Sequence, residues 1–165
     1  MSCATHSERR EAIRSAEPIG RRVLAIDYGR RRIGLALSDE LGLTGRPLAT
    51  LVRTNRRNDI RRLREICRDR GVAHIIVGNP LHLSGQDGEM AGEADRFATR
   101  LKKELGIDVE LVDERLTSWD AEQTIVGVKP SLRKKRQALD DVAAAILLRD
   151  YLGRRGEQHR PEGGS

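Results

Sequence analysis

Aromatic residues are nearly missing from this chain. Tyr, Phe and Trp make up 2% of its 165 residues, and Tyr28, Phe97, Trp119 and Tyr151 are the whole set. A platform that binds single strands by stacking base upon base is therefore excluded. Cysteine is equally scarce. Cys3 and Cys67 lie far apart with no C-x-x-C pair, so the sequence offers neither a disulfide framework nor a thiolate zinc site, and it suits a reducing cytoplasm. No apolar run approaches the roughly 20 residues of a membrane span. The segment MSCATHSERREAIRSAEPIG lacks the apolar stretch of a secretory signal, and its three glutamates argue against a transit peptide. It reads as a mobile arm over residues 1–21.

What is present is charge. Charged residues make up 34% of the chain, and 31 Lys and Arg against 25 Asp and Glu give a net charge of +6 and a pI near 9.9. Such a balance favours a polyanionic partner, because basic side chains that neutralise phosphates release condensed counterions. With so few aromatics, binding is expected at backbone phosphates. The plainer reading of the same charge is a surface that keeps the protein in solution.

The chain is long enough for one domain that buries roughly 70% of its unfolded surface. Val23 to Tyr28 and Ile33 to Ser38 read as adjacent strands joined by Gly29-Arg30-Arg31-Arg32, and a third strand is expected over Leu48 to Val52, after turn residues Gly42, Gly45 and Pro47. In NRRNDIRRLREICRDRG the residues Ile60, Leu63 and Cys67 recur at helical spacing. Arg57, Arg61, Arg64 and Arg68 form a separate stripe, either a solvated face or a nucleic-acid contact. The apolar run Ala73 to Val77 reads as a strand buried on both faces, Asn79 to Gly88 as a loop, Glu89 to Leu105 as a helix, and Val109 to Val112 as another short buried strand. A further helix is expected from near Trp119, capped by Thr117 or Ser118. A basic mobile loop is expected over Gly127 to Arg136 and a last helix over Leu139 to Leu152. A tail over residues 153–165 completes a domain placed at 22–152. Strands that meander and then alternate with helices predict an α/β fold, a mixed sheet covered by helices.

Acids stand at three element ends. Asp27 lies inside an apolar strand, where an ionised carboxylate is costly unless a metal, a basic side chain or backbone N–H groups meet it. Glu114 follows a strand, and Asp140 or Asp141 is expected at the start of the last helix. Carboxylates carried on separate rigid elements suit Mg or Mn, which prefer oxygen ligands. Phosphodiester hydrolysis uses such a site. Each acid also has a structural alternative: an ion pair with Arg115 for Glu114, a favourable helix N-terminus for Asp140. Asp113 and Glu114 point to opposite faces of a strand, so both cannot serve one site. Asp140 is expected to share a stripe with Ala143, Ala144 and Leu147, and Asp141 lies about 100° further round.

Four segments, AIDYGRRRIGLALSD, IIVGNPLHLSGQDG, VDERLTS and LDDVAAAILLRDYL, occur in an order and spacing that resemble the YqgF (RuvX) family of small bacterial nucleases. The resemblance runs from about Val23 to Leu152. It implies an RNase H-like three-layer fold, with an antiparallel meander leading into parallel strands and helices on both faces. It also implies that Asp27, Glu114 and Asp140 are the catalytic acids that hold Mg2+ or Mn2+, two ions in the usual scheme. The implied activity is a nuclease in 5′-end maturation of pre-16S rRNA, with Holliday junction resolvase activity on branched DNA as the alternative. One position departs from the family pattern: Asn79 stands where leucine is frequent between Gly78 and Pro80.

For nucleic-acid contacts the candidates are Gly29, Arg115, Thr117 and the basic run Lys129, Arg133, Lys134, Lys135 and Arg136. Gly29 and Gly34 each have a structural alternative as turn and packing residues. A non-catalytic RNA-binding ribosome-assembly factor is the reading from another class. A phosphotransferase of the actin-like or sugar-kinase type is a third, suggested by the D-x-G loop but opposed by the chain's length. The protein is expected in the cytoplasm, off the membrane, as a monomer or homodimer.

Overall fold

The computed structural model describes residues 22–79, 86–113 and 132–158, with the side chains of the last helix described from Val142 to Gly156. Five strands form one sheet: β1 (Arg22–Tyr28), β2 (Arg32–Ser38), β3 (Gly45–Val52), β4 (Val72–Asn79) and β5 (Asp108–Asp113). Three helices join them among the described residues: α1 (Arg56–Arg70), α2 (Gln86–Leu105) and α3 (Leu132–Gln158). The strand order is β3-β2-β1-β4-β5. The first three strands run antiparallel to their neighbours and β1, β4 and β5 run parallel. This is the expected mixed sheet, with β1 at its centre.

Side-chain alternation along β1 divides the core. Leu24 and Ile26 join Ile33, Leu35, Leu37, Ile75 and Val77 against α1 and α2. Val23 and Ala25 join Ala36, Ile76 and Val112 against Ala144, Leu147, Leu148 and Leu152 of α3. Small residues on the second face allow α3 to approach closely. A Cβ built on Gly45 would lie 2.6 Å from Leu148 Cδ2 and 2.9 Å from its Cγ.

The helix signals hold where they are local. Asn55 caps α1 by accepting the Asn58 N–H, and Gly71 ends it in the left-handed conformation at φ 65°. Gly106, at φ 66°, ends α2 in the same way. Ile60, Leu63 and Cys67 are buried while Arg57, Arg61, Arg64 and Arg68 are exposed. On α2, Ala94, Phe97, Ala98 and Leu101 are buried.

Several boundaries differ from expectation. β3 begins at Gly45, so Gly45 and Pro47 lie inside a strand. It is an edge strand, where the missing proline N–H costs no ladder bond. The preceding turn is held by Asp39, whose carboxylate accepts from Leu43 N–H at 2.7 Å and Thr44 N–H at 3.1 Å. Asn79 belongs to β4, and α2 begins at Gln86. β5 is an edge strand with only Val112 buried, in place of the expected buried strand. The largest correction is α3, which starts at Leu132 and runs to Gln158. Arg133, Lys134, Lys135 and Arg136 are therefore helical, not loop, and Asp140 is no longer at the helix start. Lys, Arg, Gln, Ala and Leu are all strong helix formers and no glycine or proline interrupts them before Gly153. Gly153 and Gly156 each cost only about 1 kcal/mol in a helix, too little to stop one already docked.

No helix among the described residues is long and apolar enough to cross a membrane.

Two outcomes follow from this packing. Gly45→Ala should destabilise the fold by about 1–3 kcal/mol through overpacking. In urea unfolding, Leu148→Ala should cost less in the Gly45→Ala background than alone, because the two share one contact. Burial pushes the Cys67 thiol up to about 11. The unfolded thiol ionises first, so its contribution to stability is full at neutral pH and declines as pH climbs towards that value. Peptide mapping after iodoacetamide at pH 8.5 should find Cys67 modified only once denaturant is added.

Candidate active site

Asp27 is the last but one residue of β1 and pairs with Gly34 across the sheet. It shares parity with Val23 and Ala25, so its half-buried side chain lies on the α3 face. Gly34 leaves the position opposite it without a side chain. On β4 the α3 face carries Ile76 and, by alternation, Gly78. On β5 it carries Val112. The carboxylate thus sits at the carboxyl end of the central parallel strand, where ligands collect in sheets of this kind.

Asp113 has opposite parity to Val112 and belongs to the α1–α2 face. Asn79 has the parity of Ile75 and Val77 and lies on that face too. It is 7% exposed, and its Oδ1 has no hydrogen-bond partner among the described residues. The residue that departs from the family pattern therefore backs the sheet beneath the acid without lining the acid's own side.

Asp140 and Asp141 lie in the third turn of α3. Leu148 contacts Gly45, which pairs with Ser38 at the end of β2, and Leu152 lies beside Gly42. Ala144, Leu147, Leu148 and Leu152 are buried but Ala143 is exposed, which corrects the expected stripe. On an ideal helix the Asp140 and Asp141 positions flank the direction of that buried stripe by roughly 50° on either side. The expected stripe included Asp140 and left Asp141 open; with Ala143 exposed, the two positions have equal standing. The far end of α3 is pinned by Tyr151. Its hydroxyl donates to Glu110 Oε2 at 3.1 Å and lies 3.1 Å from His74 Nε2.

Glu114, Arg115, Thr117 and Lys129 lie outside the described residues, as does the helix expected from near Trp119. Arg133, Lys134, Lys135 and Arg136 occupy the first turns of α3, on the same element as Asp140. Three metal-ligating side chains are not found together among the described residues.

Around the Asp27 strand end the turn is tightly held. A Cβ on Gly29 would lie 2.5 Å from the Arg32 carbonyl oxygen, which makes glycine a requirement of the turn itself. Arg53, not singled out from the sequence, holds the same turn from below. Its Nη1 donates to Tyr28 Oη at 2.9 Å and to the Gly29 carbonyl at 3.1 Å, while its Nε donates to Asp59 at 3.2 Å. Burial works to lower the Arg53 pKa, but the bonds to Asp59 and Tyr28 outweigh it and the net direction is upward. Arg30 is tied to α2 through Glu93 at 3.1 Å and Glu89 at 3.5 Å. An arginine directly after a strand and six residues before the first acid of a helix was the available signal for Arg53, and it is a weak one.

The comparisons with known proteins settle the lineage. The RuvX family model, described as Holliday junction resolvase, matches residues 21–154. The chain belongs to this family. A RuvX relative from Koribacter versatilis is 42% identical over 135 residues, covering 82% of this chain and 88% of its own, and carries the name pre-16S rRNA nuclease. One from Geobacillus kaustophilus, with the same name, is 40% identical over 133 residues and covers 79% of this chain and 96% of its own. Among solved structures, Thermus thermophilus RuvC in complex with a Holliday junction substrate superposes with a TM-score of 0.54. At 17% identity, covering 82% of this chain and 96% of that one, it is similar in fold alone. The fold is RNase H-like, and family membership makes this RuvX chain a nuclease.

The Arg53 clamp yields an outcome. Asp59 is buried, with its side chain 2% exposed. Arg53→Met strands that carboxylate and should cost about 3 kcal/mol in urea unfolding. Asp59→Asn should cost less, because Arg53 is nearer to solvent.

Proposed function

We propose that the chain is an Mg2+- or Mn2+-dependent nuclease that cuts phosphodiester bonds in maturing the 5′ end of pre-16S rRNA, in the cytoplasm. One observation carries the reading: a half-buried carboxylate, Asp27, closes the central parallel strand on the face covered by α3, the helix that bears the other described candidates. The relatives' name supplies the RNA substrate class.

Asp27, Glu114 and Asp140 are the residues proposed to hold the metal, with Asp141 as the rival to Asp140. The all-oxygen donor set fits Mg2+ or Mn2+. Glu114 follows Val112 by two positions, and period-two alternation supports it over Asp113 as the acid that joins Asp27. Divalent ions bound there supply water activation and charge neutralisation at the leaving oxygen. The protein's own part is to keep Asp27 rigid, through the Gly29 turn and its Arg53 clamp, and to hold phosphates at the basic start of α3. Lys129, Arg133, Lys134, Lys135 and Arg136 are the proposed backbone contacts there, with Arg115, Thr117 and Gly29 nearer the acids.

Branched DNA is the second substrate reading, favoured by the family's description. Symmetric resolution of a junction needs two active sites, so it requires a homodimer, whereas a monomer suffices for RNA trimming.

The test is to incubate the protein with Mn2+ or Mg2+ and either a labelled pre-16S rRNA leader or a four-way DNA junction. RNA cutting should fall more than about a hundredfold in Asp27→Asn, since even outer partners of metal ligands are worth ten- to a hundredfold. Asp140→Asn and Asp141→Asn should differ sharply, and the inactive one names the third acid. Symmetric junction cutting without RNA cutting would replace the substrate. Binding of RNA with no metal-dependent cutting would make the protein an assembly factor.

A further inference from the structure

Arg32 opens β2 on the same face as Asp27. Tyr28 pairs with Ile33 and Asp27 with Gly34, so along that face β2 presents Arg32, Gly34 and Ala36 in turn. Gly34 has no side chain and Ala36 is fully buried, which leaves Arg32 as the first polar side chain beside Asp27 on this strand. The diagonal relation across an antiparallel pair sets their Cβ atoms about 7 Å apart. That distance spans a phosphate group.

The Arg32 guanidinium also differs from those of Arg30 and Arg53. Arg30 is paired with Glu93 and Glu89, and Arg53 with Asp59. Arg32 is half-buried, and its Nη1 is buried without any hydrogen-bond partner among the described residues. A buried donor left unmade is costly, and a guanidinium, always charged, cannot escape the cost by losing its proton. Such a group calls for an anion that arrives later. A planar fork of N–H donors matches the non-bridging oxygens of a phosphodiester.

We propose that Arg32 is a phosphate-binding residue of the nuclease site, donating to a non-bridging oxygen of the phosphodiester held beside Asp27. The inference rests on the nuclease reading above. It adds a cation on the β2 side of Asp27, on a different element from the basic run at the start of α3.

The experiment separates a ligand-binding arginine from a structural one. Arg32→Met, Arg32→Lys and, as an equal change of charge away from the site, Arg100→Met are compared with the wild type. Thermal unfolding, cutting of the labelled RNA leader with Mn2+, and binding of the same RNA in EDTA over a series of salt concentrations are measured. Arg32→Met is expected to keep or raise the melting temperature, because it removes an unpaired buried donor. Its affinity should fall about ten- to a hundredfold, with the slope of log K against log salt smaller by about one phosphate contact. KM should rise correspondingly, Arg32→Lys should lie between, and Arg100→Met should match the wild type.

Unchanged affinity and salt slope in Arg32→Met would overturn the proposal whatever the melting temperature. A wild type that cuts nothing would defeat the nuclease reading, and the EDTA binding series would still decide whether Arg32 holds a phosphate.

Discussion

The guanidinium of Arg53 joins three elements at one point. It sits 4.8 Å from the Tyr28 ring centroid, bonds the Tyr28 hydroxyl and the Gly29 carbonyl, and pairs with Asp59 in the first turn of α1. Its own backbone N–H donates to the Arg31 carbonyl at 2.9 Å. The turn that follows Asp27 is therefore fixed from the α1 side of the sheet, the side opposite the Asp27 carboxylate. A carboxylate has to be held within a fraction of an ångström to serve as a metal ligand. The strand end that carries it cannot be a loose hairpin, and the buried ion pair beneath is what prevents that.

A second constraint acts on the other face. The close seat of α3 on β1 and β2 depends on Gly45, Ala25 and Ala36, and its far end is pinned by Tyr151 to His74 and Glu110. Asp140, Asp141 and the basic run lie on the earlier turns of the same helix.

The site and the fold were legible to different depths. An acid inside the apolar run Val23 to Tyr28 already marked Asp27, and the apolar spacing of Ile60, Leu63 and Cys67 already identified α1. The extent of α3 was not legible, because a run of lysines and arginines reads equally as a solvated loop or as a helix, and only docking of the later turns decides. Ala143 was assigned inward for a similar reason: alanine is at home on either face. The roles of Arg53 and Arg32 were not legible, because an arginine in an arginine-rich chain carries no local mark of being buried.

By itself, the sequence determined what depends on local chemistry: the period-two and helical patterns, the left-handed stops at Gly71 and Gly106, a basic chain poor in aromatics, and a carboxylate where apolar residues were due. Tertiary structure alone decided which side of the sheet each residue serves, that Pro47 lies in an edge strand, that Asp140 and Asp141 flank one buried stripe, and which arginines have partners. These follow from strand order and helix docking, and contacts between residues distant in the chain are set by the packing of whole elements, to which no short stretch of sequence has access.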